Sequence, residues 1–139
     1  RMGWRIALHD LVPFARWFPK NERLTRIFDT RFYIADLGTG AVDIAVDAQE
    51  NTRLFWTSAQ GALAAADQGE IEVIFPTRRN LERLAQFADF DRAREHAQST
   101  PLPTIVPWIE ERAEGRSLCI PDNCGYPVTS VPLDEAKRG

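Results

Sequence analysis

Two short clusters near the start of the chain combine arginine with aromatic residues: FARWF at positions 14–18 and FDTRFY at positions 28–33. Arginine suits contacts to phosphate, because its planar guanidinium can donate two parallel hydrogen bonds to one oxyanion group. The second cluster continues into the β-rich run YIADL at positions 33–37, so we expect Asp29 and Arg31 at the entrance of a strand. Polar side chains at a strand end, beside a loop, are common components of binding sites.

Short strands and helices alternate around these clusters. Pro13 and Pro19 bracket the first cluster, which predicts an extended or edge segment there rather than a helix. The second cluster leads into a predicted strand at residues 31–37. Further strands are predicted at residues 4–8, 41–46, 53–56 and 71–75, and a hairpin is predicted from residues 104–111 and 117–120. The sequence therefore predicts an α/β or α+β arrangement.

The helices also have sequence signals. Thr57 and Gln60 form a capping box before an alanine-rich run, and Thr77 is expected to cap the helix that follows Pro76. Apolar residues recur at intervals of three and four in this second helix, so they predict a core stripe formed by Leu81, Leu84, Ala85 and Ala88. The opposite side, expected to face solvent, carries Arg78, Arg79, Glu82, Arg83 and Gln86.

Four motifs in order carry a family resemblance. PFARW is followed by FDTRFYIA, then by ENTRLFW at positions 50–56 and FPTRRNL at positions 75–81. This series resembles the C-terminal half of a Nudix hydrolase, in the branch that includes coenzyme A diphosphatases, over residues 3–90. The resemblance implies a single domain across residues 1–139, with a Nudix-like mixed β-sheet sandwiched by helices. Residues 101–133 would add a hairpin and an extended tail.

The Nudix box itself is absent from this sequence. The family's box, Gly-x5-Glu-x7-Arg-Glu-x2-Glu-Glu-x-Gly, gathers glutamates on one side of a helix to hold Mg²⁺ against a diphosphate. The nearest stretch, EERAEG at positions 110–115, lacks the preceding Arg-Glu and has the wrong spacing. Because the box lies upstream of the PFARW-like segment in the family, we expect a fragment that lacks the box helix. The alternative is that Met2 is the initiator and Arg1 a cloning remnant.

The resemblance implies roles for four residues: Arg16, Trp17, Arg31 and Glu50. The two arginines would bind a substrate diphosphate, or else form ion pairs with Asp29 or Asp36 that hold the strands. The tryptophan would stack on an adenine, or else belong to the core. The glutamate would be the catalytic residue, as a general base or through a water on the metal, or else a solvated loop charge.

Composition limits the classes of partner. The net charge of -3 argues against bulk binding of nucleic acid, which requires a basic face. No apolar run approaches the roughly 20 residues of a membrane span, so we expect a cytoplasmic protein that does not bind membranes. Cys119 and Cys124 have no histidine nearby in the sequence and are expected to be ordinary reduced thiols.

The resemblance implies hydrolysis, dependent on Mg²⁺ or Mn²⁺, of a nucleoside diphosphate linked to another group, as in coenzyme A, ADP-ribose or a dinucleotide. Without the box, the chain alone is expected to be inactive. One alternative is a nucleotide-binding module whose affinity does not depend on Mg²⁺. Another is an interaction domain that completes its sheet with another chain, which includes a homodimer.

Overall fold

A computed structural model describes residues 11–18, 29–36 and 57–137, and this part of the chain has an α+β fold with two three-stranded sheets. The strands are β1 (Val12–Trp17), β2 (Thr30–Ile34), β3 (Thr104–Ile105), β4 (Trp108–Arg112), β5 (Gly115–Cys119) and β6 (Ser130–Pro132). The helices are α1 (Ala59–Asp67), α2 (Phe75–Leu84), α3 (Phe90–Ser99) and α4 (Leu133–Lys137). The predicted strands at residues 4–8, 41–46 and 53–56 lie outside the described residues.

The first sheet has the order β2-β1-β3, with β2 antiparallel and β3 parallel to β1. The extended conformation predicted for the first cluster is confirmed, but β1 is the middle strand of this sheet. A proline in a middle strand removes a hydrogen-bond donor from the ladder. Here the register shifts between Pro13 and Ala15, which makes Phe14 an extra residue in β1. This bulge interrupts the ladder next to the proline, and β3 pairs only with Arg16 and Trp17, so it does not reach Pro13.

The second sheet has the order β4-β5-β6, and all its pairings are antiparallel. The hairpin predicted across residues 113–115 is confirmed, because Arg112 pairs with Gly115 at its end, but its first arm begins at Trp108, since Thr104 and Ile105 pair with β1 in the other sheet. Gly115 has a φ of 126°, which glycine adopts without the steric cost that a Cβ would impose. The helix α4 packs against β5 and β6.

Two helix starts differ from the prediction. Ser58, not Thr57, caps α1, because its side-chain oxygen accepts from the backbone N–H of Gly61 at 2.9 Å. The predicted strand at residues 71–75 is wrong, since Phe75 is already the first residue of α2. Pro76 explains this early start: its fixed φ suits the first helical turn, where its missing N–H costs nothing.

The inward side of α2 also differs from the prediction. Its buried residues are Phe75, Arg79, Asn80 and Arg83, whereas the expected stripe of leucines and alanines is half-buried or, at Ala88, exposed. The main core, which surrounds the fully buried Trp17, combines β1 with residues of α2, α3, β3 and the 120–131 segment. Polar side chains of α2 therefore point into the core and need partners there.

Within the described ranges, no helix is both long enough and apolar enough to cross a bilayer.

Candidate functional site

The pairing of β1 with β2 brings the two candidate arginines together. Arg16 lies directly opposite Arg31 in the register, and opposite residues of an antiparallel pair project to the same side of the sheet. Tyr33, two residues after Arg31, projects to this side as well and is 49% exposed. We call the side of β1 and β2 that carries Arg16, Arg31 and Tyr33 the arginine face.

Asp29 holds the guanidinium of Arg16 in a fixed orientation. Arg16 Nε donates to Asp29 Oδ1 at 2.9 Å, and Arg16 Nη2 donates to Asp29 Oδ2 at 2.6 Å. The hydrogen bond from Arg16 lowers the pKa of the Asp29 carboxyl, and the same hydrogen bond raises the pKa of Arg16. The ion pair with Asp29 considered from the sequence is therefore present. It uses Nε and Nη2, so the two Nη1 donors of Arg16 can serve another acceptor.

Arg31 adds a second positive charge to this face. Among the residues that the structure describes, no carboxylate forms an ion pair with it. Its charge contributes to the lowered pKa of Asp29. Two guanidinium groups thus face one carboxylate. Like charges opposite one another destabilise a strand pair. An anion bound between Arg16 and Arg31 would offset this repulsion and accept hydrogen bonds from both side chains.

Trp17 lies on the opposite side of β1, in the core. Its side chain is 0% exposed, and its Nε1 donates to Tyr126 Oη at 3.1 Å. The rings of Phe75 and Tyr126 meet it edge-on at centroid distances of 5.9 Å. Stacking of Trp17 on a base would therefore require the core to open. In the structure, Trp17 packs against Phe75 and Tyr126 instead.

Glu50, the predicted catalytic residue, lies outside the described residues.

A buried polar cluster, which the sequence analysis missed, connects α2 to β1 and α3. Arg83 is 1% exposed. Its Nε donates to His96 Nε2 at 2.8 Å and its Nη1 to the carbonyl oxygen of Phe14 at 2.7 Å. Its guanidinium also stacks on the Phe14 ring, 4.0 Å from the centroid. The cluster thus ties three elements together through one cation.

Tyr126 extends this cluster to the indole of Trp17. Its hydroxyl donates to Asn80 Oδ1 at 2.7 Å while it accepts from Trp17. Burial raises the pKa of Tyr126, so the hydroxyl stays protonated and can donate. The amide of Asn80 in turn donates to the carbonyl oxygen of Pro76 at 3.0 Å. The paired groups of Trp17, Tyr126 and Asn80 indicate a structural role for these three side chains, whereas Nη2 of Arg83 has no hydrogen-bond partner among the described residues.

The hydrogen bond from Arg83 requires a neutral His96, which makes stability pH-dependent. Burial, together with the charge of Arg83, lowers the pKa of His96 below its ordinary value of 6.5. The unfolded chain therefore binds more protons just below pH 6.5, and the free energy of unfolding falls as the pH decreases through that range. We expect a lower thermal midpoint at pH 5 than at pH 7.5, measured by circular dichroism.

The variant His96→Gln serves as the control for this pH dependence, because a glutamine oxygen can accept from Arg83 at either pH. We expect its midpoint to change less between the two pH values, while the carboxylates contribute equally to both proteins. Equal pH dependence in the two proteins would contradict the assignment to His96.

The described residues do not supply a magnesium site. Within residues 11–18, 29–36 and 57–137, no group of three His, Cys, Asp or Glu side chains could hold a metal ion. The carboxylate on the arginine face, Asp29, is already bound by Arg16. Cys119 and Cys124 are free and buried, and burial raises the pKa of both thiols.

A cleft of about 400 Å³ lies between the end of β2 and the α2–α3 region. Its lining is mostly apolar and consists of Ile34, Ala35, Leu84, Phe87, Asp89, Phe90 and Ala93. The carboxylate in this lining, Asp89, caps α3 by accepting from the backbone N–H of Arg92 at 2.9 Å. The arginine face, with its excess of cations, therefore remains the stronger candidate site for an anionic ligand.

Comparisons with known proteins find no family model, no curated protein and no solved structure that match this chain.

Proposed function

We propose that this chain is part of a Mg²⁺-dependent Nudix hydrolase that cleaves a nucleoside diphosphate linked to another group, and that the 139 residues alone do not hydrolyse it. The substrate class is that of coenzyme A, ADP-ribose or a dinucleotide. The observation that carries the proposal is the arginine face, where Arg16 and Arg31 lie opposite one another. Both residues belong to the motifs on which the Nudix resemblance rests.

In this proposal the arginine face binds the diphosphate. Arg31 and the Nη1 donors of Arg16 would bond to phosphate oxygens, while Asp29 keeps the Arg16 guanidinium in orientation. The metal would be held by residues beyond those that the structure describes, with Glu50 among the candidates. The box residues would also have to lie elsewhere, because this sequence lacks them.

The test is a diphosphatase assay on coenzyme A and ADP-ribose, with MgCl₂ and with EDTA, together with the intact mass of the native protein. We expect metal-dependent turnover by a native protein heavier than 15.8 kDa, and none by the 139-residue chain. A native protein of 15.8 kDa that is inactive on both substrates would contradict the hydrolase proposal.

The second candidate is a nucleotide-binding module. It is favoured by the presence of the arginine face in a described region that supplies no metal site. This candidate predicts nucleotide binding in EDTA without turnover.

The third candidate is an interaction domain that completes its sheet with another chain, such as a second copy of itself. Between residues 102 and 109, from just before β3 to the start of β4, four large hydrophobic side chains are at least 40% exposed: Leu102, Val106, Trp108 and Ile109. Size-exclusion chromatography separates this candidate from the other two, because it predicts a stable dimer or a larger complex.

A further inference from the structure

We propose that Tyr33 is the residue of the arginine face that stacks on the nucleobase, so that this face binds a nucleoside diphosphate with its base on Tyr33 and its phosphates on Arg31 and Arg16. The inference rests on the proposed function for the class of ligand. It adds Tyr33 as the residue that contacts the base, which a nucleotide has and inorganic polyphosphates lack.

The placement of Tyr33 follows from the strand geometry. Residues two apart on a strand share a side and lie about 6.5 Å apart along it, so Tyr33 and Arg31 project from the same side of β2 as neighbours. This spacing is on the scale of the single ribose that joins a base to its first phosphate. Across the strand pair, Tyr33 lies opposite the exposed Pro13, whose small ring carries no charge that would repel a base or a phosphate.

Tyr33 has the open ring surface that stacking requires. It is 49% exposed, whereas both aromatic side chains of β1, Phe14 and Trp17, are buried. A phenol ring of this kind offers a flat apolar surface that every nucleobase can cover. An exposed tyrosine beside two arginines on one side of a sheet therefore provides both parts of a nucleotide site.

The charges of the arginine face match the phosphates. Arg31 has no ion-pair partner among the described carboxylates, and Arg16 keeps its Nη1 donors beyond the bonds to Asp29. The chain as a whole carries a net charge of -3, so a polyanion needs a local excess of cations in order to bind. Stacking depends weakly on base identity, so we expect selection for nucleotides over base-free phosphates rather than selection among bases.

The experiment is isothermal titration of the 139-residue chain in EDTA with two probes, ADP and inorganic pyrophosphate. We expect Tyr33→Ala to weaken ADP binding about fivefold or more and to leave pyrophosphate binding unchanged. Tyr33→Phe, which keeps the ring, should bind ADP as the parent chain does. Arg31→Gln should weaken both probes about tenfold or more, since it removes hydrogen bonds to a charged ligand.

The matched control is Arg116→Gln, which makes the same change in net charge at an exposed arginine of β5 and should leave both affinities unchanged. Circular dichroism would verify that every variant is folded, as expected for exposed side chains. The proposal is overturned if ADP does not bind, if Tyr33→Ala weakens the two probes equally, or if Arg116→Gln has the effect of Arg31→Gln.

The outcomes also separate this inference from the hydrolase proposal. ADP binding that depends on Tyr33, in a native protein without metal-dependent turnover, would support the inference and contradict the hydrolase. Turnover by the native protein that is unaffected by Tyr33→Ala would support the hydrolase and overturn the inference.

Discussion

Replacing Arg83 with alanine is expected to lower the free energy of unfolding by about 2–3 kcal/mol. The substitution removes the donors to His96 Nε2 and to the carbonyl oxygen of Phe14, and it leaves that buried carbonyl without this partner. It also removes the stem and guanidinium that pack on the Phe14 ring. Equilibrium unfolding in urea would measure the loss.

Two variants serve as controls for Arg83→Ala. Arg92→Ala changes a highly exposed arginine of α3 and should change the free energy of unfolding by no more than about 0.5 kcal/mol. Arg83→Met fills much of the volume but restores no donor, so we expect a smaller loss than with alanine. A loss for Arg83→Ala no larger than that for Arg92→Ala would show that the buried cluster does not stabilise the fold.

Replacing Trp17 with alanine is expected to lower the free energy of unfolding by about 3–5 kcal/mol, because it creates a large cavity in the core. It also removes the indole donor to Tyr126 and both edge-on ring contacts. Urea unfolding followed by far-UV circular dichroism measures the effect without relying on tryptophan fluorescence.

Trp108→Ala provides the matched control for Trp17→Ala, since it deletes the same side chain at a position that is 42% exposed. We expect Trp108→Ala to change the free energy of unfolding by about 0.5 kcal/mol. Equal losses for the two variants would contradict a central role for Trp17 in the core. If Trp17→Ala instead left stability intact and abolished nucleotide binding, the stacking role predicted from the sequence would be the correct one.

Local patterns predicted the α+β class, the extended conformation of the first cluster and the hairpin of β4 and β5. They failed for the inward side of α2, because periodicity counts apolar residues and treats arginine as a surface residue. Arg83 can be buried because Phe14 and His96, which lie outside α2, supply acceptors for its hydrogen bonds. Nothing local to α2 indicates that a carbonyl and an imidazole will meet that guanidinium.

The candidate site was partly predictable. The sequence identified Arg16 and Arg31, but only the register shows that they lie opposite one another. For Trp17 the sequence left two roles open, stacking on an adenine or packing in the core, and its complete burial favours the second. Strand alternation places Tyr33, two residues after Arg31, on the exposed side that Trp17 does not share. Glu50 stays a prediction.

The bulge at Phe14 has a consequence for how this segment can vary. As the extra residue of β1, Phe14 is left out of the β1–β2 register, and its carbonyl oxygen accepts from Arg83 instead. The attachment of α2 to the sheet thus depends on a main-chain atom that no side-chain substitution removes. A different residue at position 14 would preserve this acceptor but lose the ring on which the Arg83 guanidinium stacks, whereas a one-residue deletion there would remove the extra residue that presents the carbonyl to Arg83. Segment length and the aromatic ring at position 14 together determine this connection.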